Sequence, residues 1–398
     1  MRHVCTGAAL TLLSAAAMVT ATVRPAAAIP VPPIGGLGTT GALAWGANPS
    51  GELGDGTHAL RISPVEPVGL GSGVMHVAAG WYHTLAVRDN GTVMAWGLND
   101  SGQLGNGTTD ETVVPMPVSA LTGVIRVSAG NDHSLALRSD GTVWAWGSNA
   151  HGQLGDGTVT DRLTPVRVFG LTGVTDISAG VQFSLARRSD GSMRAWGANA
   201  VGQLGDGTFV DRSRPIAPVG LANVIQVSAG QGHSLALRAD GQAFAWGSNA
   251  LGALGDGTTV DHFIPAPVTL VGPVSRISAG FGSSLVVSGG KPVWWGDLCN
   301  GLVYPVDAPC NAEDEPSAHV VDIDQVIQVS AGGGYSFALR SDGTLWGWGW
   351  NYIGQLGDGT TVLRTRPVRI LGATGTLHVD AGVWHTAVVV AHPPVNQG

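Results

Sequence analysis

The sequence predicts an all-β fold: a seven-bladed β-propeller of four-stranded blades, the last blade closed by N-terminal strands. Three observations predict it. A Trp-Gly pair recurs at Trp45, Trp96, Trp146, Trp196, Trp246, Trp295 and Trp348, in steps of 49 to 53 residues. An Ala-Gly pair recurs on the same period, ending at Gly80, Gly130, Gly180, Gly230, Gly280, Gly332 and Gly382. The last copy, Leu377 to Val390, holds only the first half of a repeat, and the first copy, Leu43 to Pro64, only the second half. Repeats of about 40–50 residues with four short strands each are the signature of propeller blades. Joining the two half-copies removes a free sheet edge and locks the ring.

The second repeat shows the elements in order. Val124 to Ser128 reads as strand a and Ser134 to Arg138 as strand b. Asp140-Gly141 supplies a hairpin turn, because this pair tolerates the positive φ that tight hairpins need. Thr142 to Trp146 is strand c, rich in β-formers. A loop, SNAHGQLGDGT, leads to strand d at Pro165 to Val168. Proline cannot donate to a ladder, so strand d belongs at the outer edge. The Trp-to-Pro spacing is 19 residues in six copies, Pro64, Pro115, Pro165, Pro215, Pro265 and Pro367.

Four segments follow: a signal peptide at 1–28, a Pro/Gly-rich lead-in at 29–41, the propeller at 42–390 and a tail at 391–398. Arg2 and His3 precede an apolar run from Ala8 to Val23, and Ala26-Ala27-Ala28 offers a cleavage site, so export is expected. No other stretch is long and apolar enough to cross a bilayer, so no membrane insertion is expected. Removing Arg2 and Arg24 from the 20 basic residues leaves 18 against 28 acidic ones, a net charge of −10. Such a surface repels phosphate backbones, which excludes nucleic acid as a partner. After processing, Cys299 and Cys310 remain, close together in an exported chain, and a local disulfide is expected.

Catalytic and metal chemistry find no support in the residue pattern. His83, His133, His233 and His385 each follow Ala-Gly by three positions, one per blade, and are expected to be half-buried turn residues. Neighbours along a strand point to opposite faces, so His133 and Ser134 cannot act as base and nucleophile. Each Gly-Asp-Gly loop (Asp55, Asp156, Asp206, Asp256, Asp358) brings one carboxylate, whereas calcium takes six or more oxygens. Turn chemistry is the expected role, and no cofactor is expected.

The loops after Ala-Gly (a–b) and after Trp-Gly (c–d) share one face. On blades five, six, seven and one they carry Phe281, Tyr335, Trp350, Tyr352, Trp384, Trp81 and Tyr82, with Tyr304 in the Cys299–Cys310 loop beside them. Blades two to four carry mostly polar or small groups there. Aromatic side chains on rigid loops are interface anchors. They point to an extracellular or cell-surface protein partner, or alternatively to a cell-envelope glycan, for a monomeric, non-enzymatic binding protein.

Two strings carry a family resemblance: Trp146-Gly147-Ser148-Asn149 with Gly152-Gln153-Leu154-Gly155-Asp156-Gly157-Thr158, and Ser128-Ala129-Gly130 with His133-Ser134-Leu135-Ala136-Leu137. Over residues 42–390 the chain resembles the regulator of chromosome condensation family. That resemblance implies a seven-bladed propeller and, from the founding member, guanine-nucleotide exchange as an alternative function. The export signal makes the chain similar in situation to the secreted bacterial beta-lactamase inhibitory protein II, whose aromatic residues after Ala-Gly bind an enzyme.

Overall fold

The computed structural model describes residues 39–296 and 318–391. Among them, 28 strands form seven antiparallel four-stranded sheets in a ring. Blade 2 serves as reference: strand a is Val124–Ala129, b is His133–Arg138, c is Val143–Gly147 and d is Arg162–Arg167. Strand d starts three residues before Pro165. Arg162 pairs with Gly147, and the register then shifts before Val166 pairs with Ala145, so the proline sits at an irregularity of the outer strand.

Blade 7 closes the ring as the half-copies require. Its strands a and b are Thr376–Ala381 and His385–Ala391, and its strands c and d are Thr40–Gly46 and Arg61–Val65. The two chain ends pair without a break from Thr40↔Ala391 to Gly46↔His385. The expected boundaries shift slightly: strand c takes Thr40 and Gly41 from the lead-in, and strand b takes Ala391 from the tail. Blade 5 differs most, with an outer strand of only His319–Val320. The expected signal peptide, Tyr304 and the Cys299–Cys310 pair lie outside the described residues.

The repeat is a device for joining blades. All seven Trp-Gly indoles are almost fully buried. Most reach into the preceding blade's c–d loop: the Trp146 Nε1–H donates to Gln103 O at 2.8 Å, and Trp196 does the same to Gln153 O. The loop glycine must make room. A Cβ on Gly105 would lie 2.8 Å from the Trp146 ring, and its φ of +66° also favours glycine. Apolar residues then fill each seam: Leu135, Leu137, Val143 and Leu154 of blade 2 pack on Ile177, Ala186 and Trp196 of blade 3. At about 25 cal/mol per Å² and roughly 200 Å² per indole, each tryptophan contributes on the order of 5 kcal/mol of gross burial energy.

Candidate functional site

Strand a lines the central channel and ends in Ala-Gly at its mouth. The residue after each glycine donates its N–H to the next blade: Trp81 to Gly130 O (3.2 Å), Asn131 to Val181 O (3.4 Å), Val181 to Gly230 O (3.3 Å), and so on through Val383 to Gly80 O (3.3 Å). Seven such bonds close a backbone collar. Space explains the invariance of the glycine here: a Cβ on Gly80 would lie 2.7 Å from both Gly130 O and the His83 ring. The collar frames a shallow cavity of about 90 Å³ lined by the Ala-Gly backbones, Trp81, Asn131, Val181, Gln231, Phe281 and Val383.

The aromatic side chains expected on this face separate into three sets. Trp81 of blade 1 and Phe281 of blade 5 meet edge to face across the axis, with ring centroids 5.7 Å apart. Tyr82 stacks on Trp81 at 6.2 Å. All three are half-buried. Trp350 and Trp384, also half-buried, and Tyr352, 64% exposed, flank this cluster on blades 6 and 7. Tyr335 is the correction. It is 2% exposed, and its hydroxyl lies 2.7 Å from His385 O and 3.0 Å from Gly382 O. It occupies the seam position that His83 holds in blade 1 and cannot contact a partner. The reading of blades two to four as polar or small also needs amending: Phe209 and Phe263 form an exposed pair 5.4 Å apart on the outer rim of blades 3 and 4.

The c–d loops hold their shape through the Asn of Trp-Gly-x-Asn. The Asn149 amide donates to Thr158 O and Thr160 O, and its Oδ1 accepts from Leu154 N. Asp156 accepts from the Thr158 N–H and hydroxyl and pairs with Arg162 at 2.6 Å. Burial alone would raise this carboxyl, but those hydrogen bonds and the guanidinium hold it below the usual carboxylate range. The same pairing joins Asp55–Arg61, Asp206–Arg212 and Asp358–Arg364. These carboxylates serve turns, and their cations are neutralised. Asp100, Asp110, Glu111, Asp161, Asp211 and Asp261 stand exposed on the same face of blades 1 to 4. An acidic sector therefore adjoins the aromatic one.

The Ala-Gly histidines are fully buried, not half-buried as expected, and each bonds across a seam. His83 Nε2 lies 3.0 Å from Ser134 Oγ, whose hydroxyl donates to Gln103 O. The serine proton is thus committed, so the imidazole is the Nε2–H tautomer and donates. His133 with Ser184, His233 with Ser284 and His385 with Thr84 repeat the arrangement. Burial drives these imidazoles down to about 4 for His83 and His233 and about 3 for His133 and His385. They stay neutral and structural.

A feature missed in the sequence lies deeper in the channel. The third residue of every strand a is polar: His76, Arg126, Asp176, Gln226, Arg276, Gln328 and His378. Its signal was a polar residue at the third position of a short strand, repeated seven times and set between two apolar residues in five of the copies. A second ring above it holds Ser128, Ser178, Ser228, Ser278, Ser330 and Asp380. Each of these accepts the backbone N–H of the next blade, as Asp380 does from Ala79 at 2.9 Å. Among the described residues, no group of three or more His, Cys, Asp or Glu could hold a metal ion.

Comparison with known proteins agrees with this geometry. A family model described as "RCC1-like domain" matches residues 39–303, and regulator of chromosome condensation (RCC1) repeat models match 326–355 and 342–389. Curated relatives match over short stretches. The human E3 ubiquitin-protein ligase HERC2 is 45% identical over 78 residues, 19% of this chain and 2% of that protein. The ultraviolet-B receptor UVR8 of Arabidopsis thaliana is 38% identical over 78 residues, 19% of this chain and 18% of the receptor. Among solved structures, human WBSCR16 is 25% identical with a TM-score of 0.76, covering 88% of this chain and 99% of that one. Prp20p of Saccharomyces cerevisiae, described with its binding properties to Gsp1p and histones, shares the fold at 23% identity and a TM-score of 0.77, covering 89% of this chain and 92% of that one. The repeat-by-repeat seam chemistry, the closed seven-blade ring and the match over more than half of its length together place this chain in the RCC1-like domain family.

Proposed function

We propose that this protein is an exported, non-enzymatic binding protein that recognises another protein through the face carrying the a–b and c–d loops. The observation that carries the reading is the cluster of Trp81, Tyr82 and Phe281, seated on a hydrogen-bonded collar and flanked by Trp350, Tyr352 and Trp384. Large aromatic groups held on a rigid frame lose little conformational entropy on binding and make good anchors. The Nε1 atoms of Trp81 and Trp384 are buried without a hydrogen-bond partner. Prp20p, described with Gsp1p and histones and solved bound to Kap60, gives a precedent for protein partners on this fold.

Capture from the producing culture tests the reading, with the chain lacking residues 1–28 as bait and a Trp81→Ala, Trp384→Ala double variant as control. A protein held by the first bait and lost by the second is the expected result. Equal recovery by both baits removes the aromatic cluster from the account. Capture of polysaccharide alone transfers the role to glycan binding. N-terminal mass spectrometry of the exported chain checks the cleavage expected after Ala28.

A further inference from the structure

The lower polar ring of the channel is nearly self-satisfied, and its two exceptions stand on blades 1 and 5, which are not neighbours in the ring. The rule is that a residue on one blade bonds the next blade at the following position. Gln226 donates to Ile277 O (2.9 Å) and accepts from Ile277 N (3.1 Å). Gln328 does the same with Val379, at 2.8 and 3.4 Å. His378 reaches Val77 O, Asp176 accepts from Val227 N, and Arg126 bonds Asp176 at 2.8 Å. His76 and Arg276 break the rule. His76 is 8% exposed and stacks on His378 at 4.3 Å, yet its Nδ1 is buried with no partner. Arg276 donates from Nη1 only to its neighbour Ser275 O, and its Nε is also buried with no partner.

Charge makes the exception sharper. Arg126 and Asp176 neutralise each other, and Asp380 is occupied by the Ala79 N–H. Among the described residues, Arg276 is the channel cation without a carboxylate. A half-buried guanidinium with no counter-charge is costly, and an anion that supplies one recovers that cost. His76 and Arg276 stand on blades 1 and 5, the two blades whose Trp81 and Phe281 meet across the same axis. Five positions along the chain, His76 to Trp81 and Arg276 to Phe281, separate the two levels, at most about 16 Å at roughly 3.3 Å per residue. His76 and Arg276 therefore start from the same two sides of the axis as the aromatic pair, one level below it.

We propose that this channel binds a small carboxylate between Arg276 and His76. The guanidinium supplies the charge and planar donors that match a carboxylate, and neutral His76 donates from Nδ1. The ligand comes in from the hairpin side, because Trp81 and Phe281 narrow the other mouth.

Isothermal titration of the full chain with acetate tests this, with Arg276→Gln as the variant. Glutamine is what blades 4 and 6 carry at this ring position, where it bonds the next blade, so the variant keeps its fold and melts no lower than the parent. The expected result is saturable acetate binding by the parent and a loss of about tenfold or more in Arg276→Gln. A Tyr352→Ala variant binds acetate like the parent, which separates this site from the partner-binding face. Three outcomes overturn the proposal: no acetate binding by the parent, equal binding by Arg276→Gln, or chloride binding as tightly as acetate.

Discussion

The seams between blades and the mouth of the channel are built from the same repeats, yet they use symmetry in opposite ways. At six seams the copies repeat one solution: an indole in the neighbour's loop, a hydroxyl on the same carbonyl, and in four of them an imidazole on the next seam's hydroxyl. At the mouth, the collar repeats but the side chains it presents do not. Blade 1 offers Trp81 where blade 2 offers Asn131, blade 3 Val181 and blade 6 Gly333. Repetition marks what holds the ring together, and departure from repetition marks what a partner can distinguish.

The largest effect expected on the seam side comes from acid. Six buried imidazoles, His76, His83, His133, His233, His378 and His385, are held below their ordinary value by burial. The unfolded chain takes up their protons below about pH 6.5 while the folded chain does not, so stability falls as pH falls. The buried acids Glu52 and Asp380, pushed up to about 7 by burial, oppose this by taking up protons in the folded state. Asp176 and Asp132, also raised by burial, add to that opposition, so the net loss is on the order of 4 kcal/mol per pH unit at most between pH 6 and 5. Urea midpoints at the two pH values measure it, and an unchanged midpoint would contradict the assignment of neutral seam histidines.

Next in size is the contrast between two tryptophans. Trp146→Ala should cost about 3–5 kcal/mol, because it empties a seam and removes one of the two donors to the Gln103 carbonyl, leaving it only the Ser134 hydroxyl. Trp81→Ala should leave most of that stability in place while abolishing capture of the partner. Chemical denaturation and capture run in parallel would sharpen the comparison, and a mouth variant as unstable as the seam variant would break it.

A smaller effect is expected at Glu52, which stands where other loops have Gln103, Gln153 and Gln203. Its Oε2 accepts from Ser50 N, as Gln103 Oε1 does from Ser101 N, but its Oε1 is buried without a partner. Folding disfavours the charged form, so stability is lost as pH rises from about 4.5 through 7. Glu52→Gln should therefore stabilise the protein by about 3 kcal/mol at pH 8 and by almost nothing near pH 4.5. Melting curves of both proteins at the two pH values decide it. Smallest of all, Tyr352→Ala at an exposed position should change stability by under about 0.5 kcal/mol, while weakening partner capture measurably.

How much of this was legible in the chain differs by level. The period of Trp45 to Trp348, the Asp-Gly turns and the split first and last copies determined the blade number, the strand order and the closure, because each is a local signal repeated many times. The Gly-Asp-Gly carboxylates were also readable as turn residues, since their partners Thr158 and Arg162 lie two and six positions along the chain. Tyr335 was misplaced because an aromatic after Ala-Gly looks the same in sequence whether it turns outward or into a seam. Its acceptor carbonyls at Gly382 and His385 lie about fifty residues away, on the next blade. The channel rings went unread for the same reason: His76 and Arg276 are 200 residues apart, and only ring closure sets them across one axis. Sequence by itself determined the repeated contacts within a blade. The tertiary structure decided which side chains face a partner, a seam or the channel, because those environments are made by neighbouring blades that no single repeat contains.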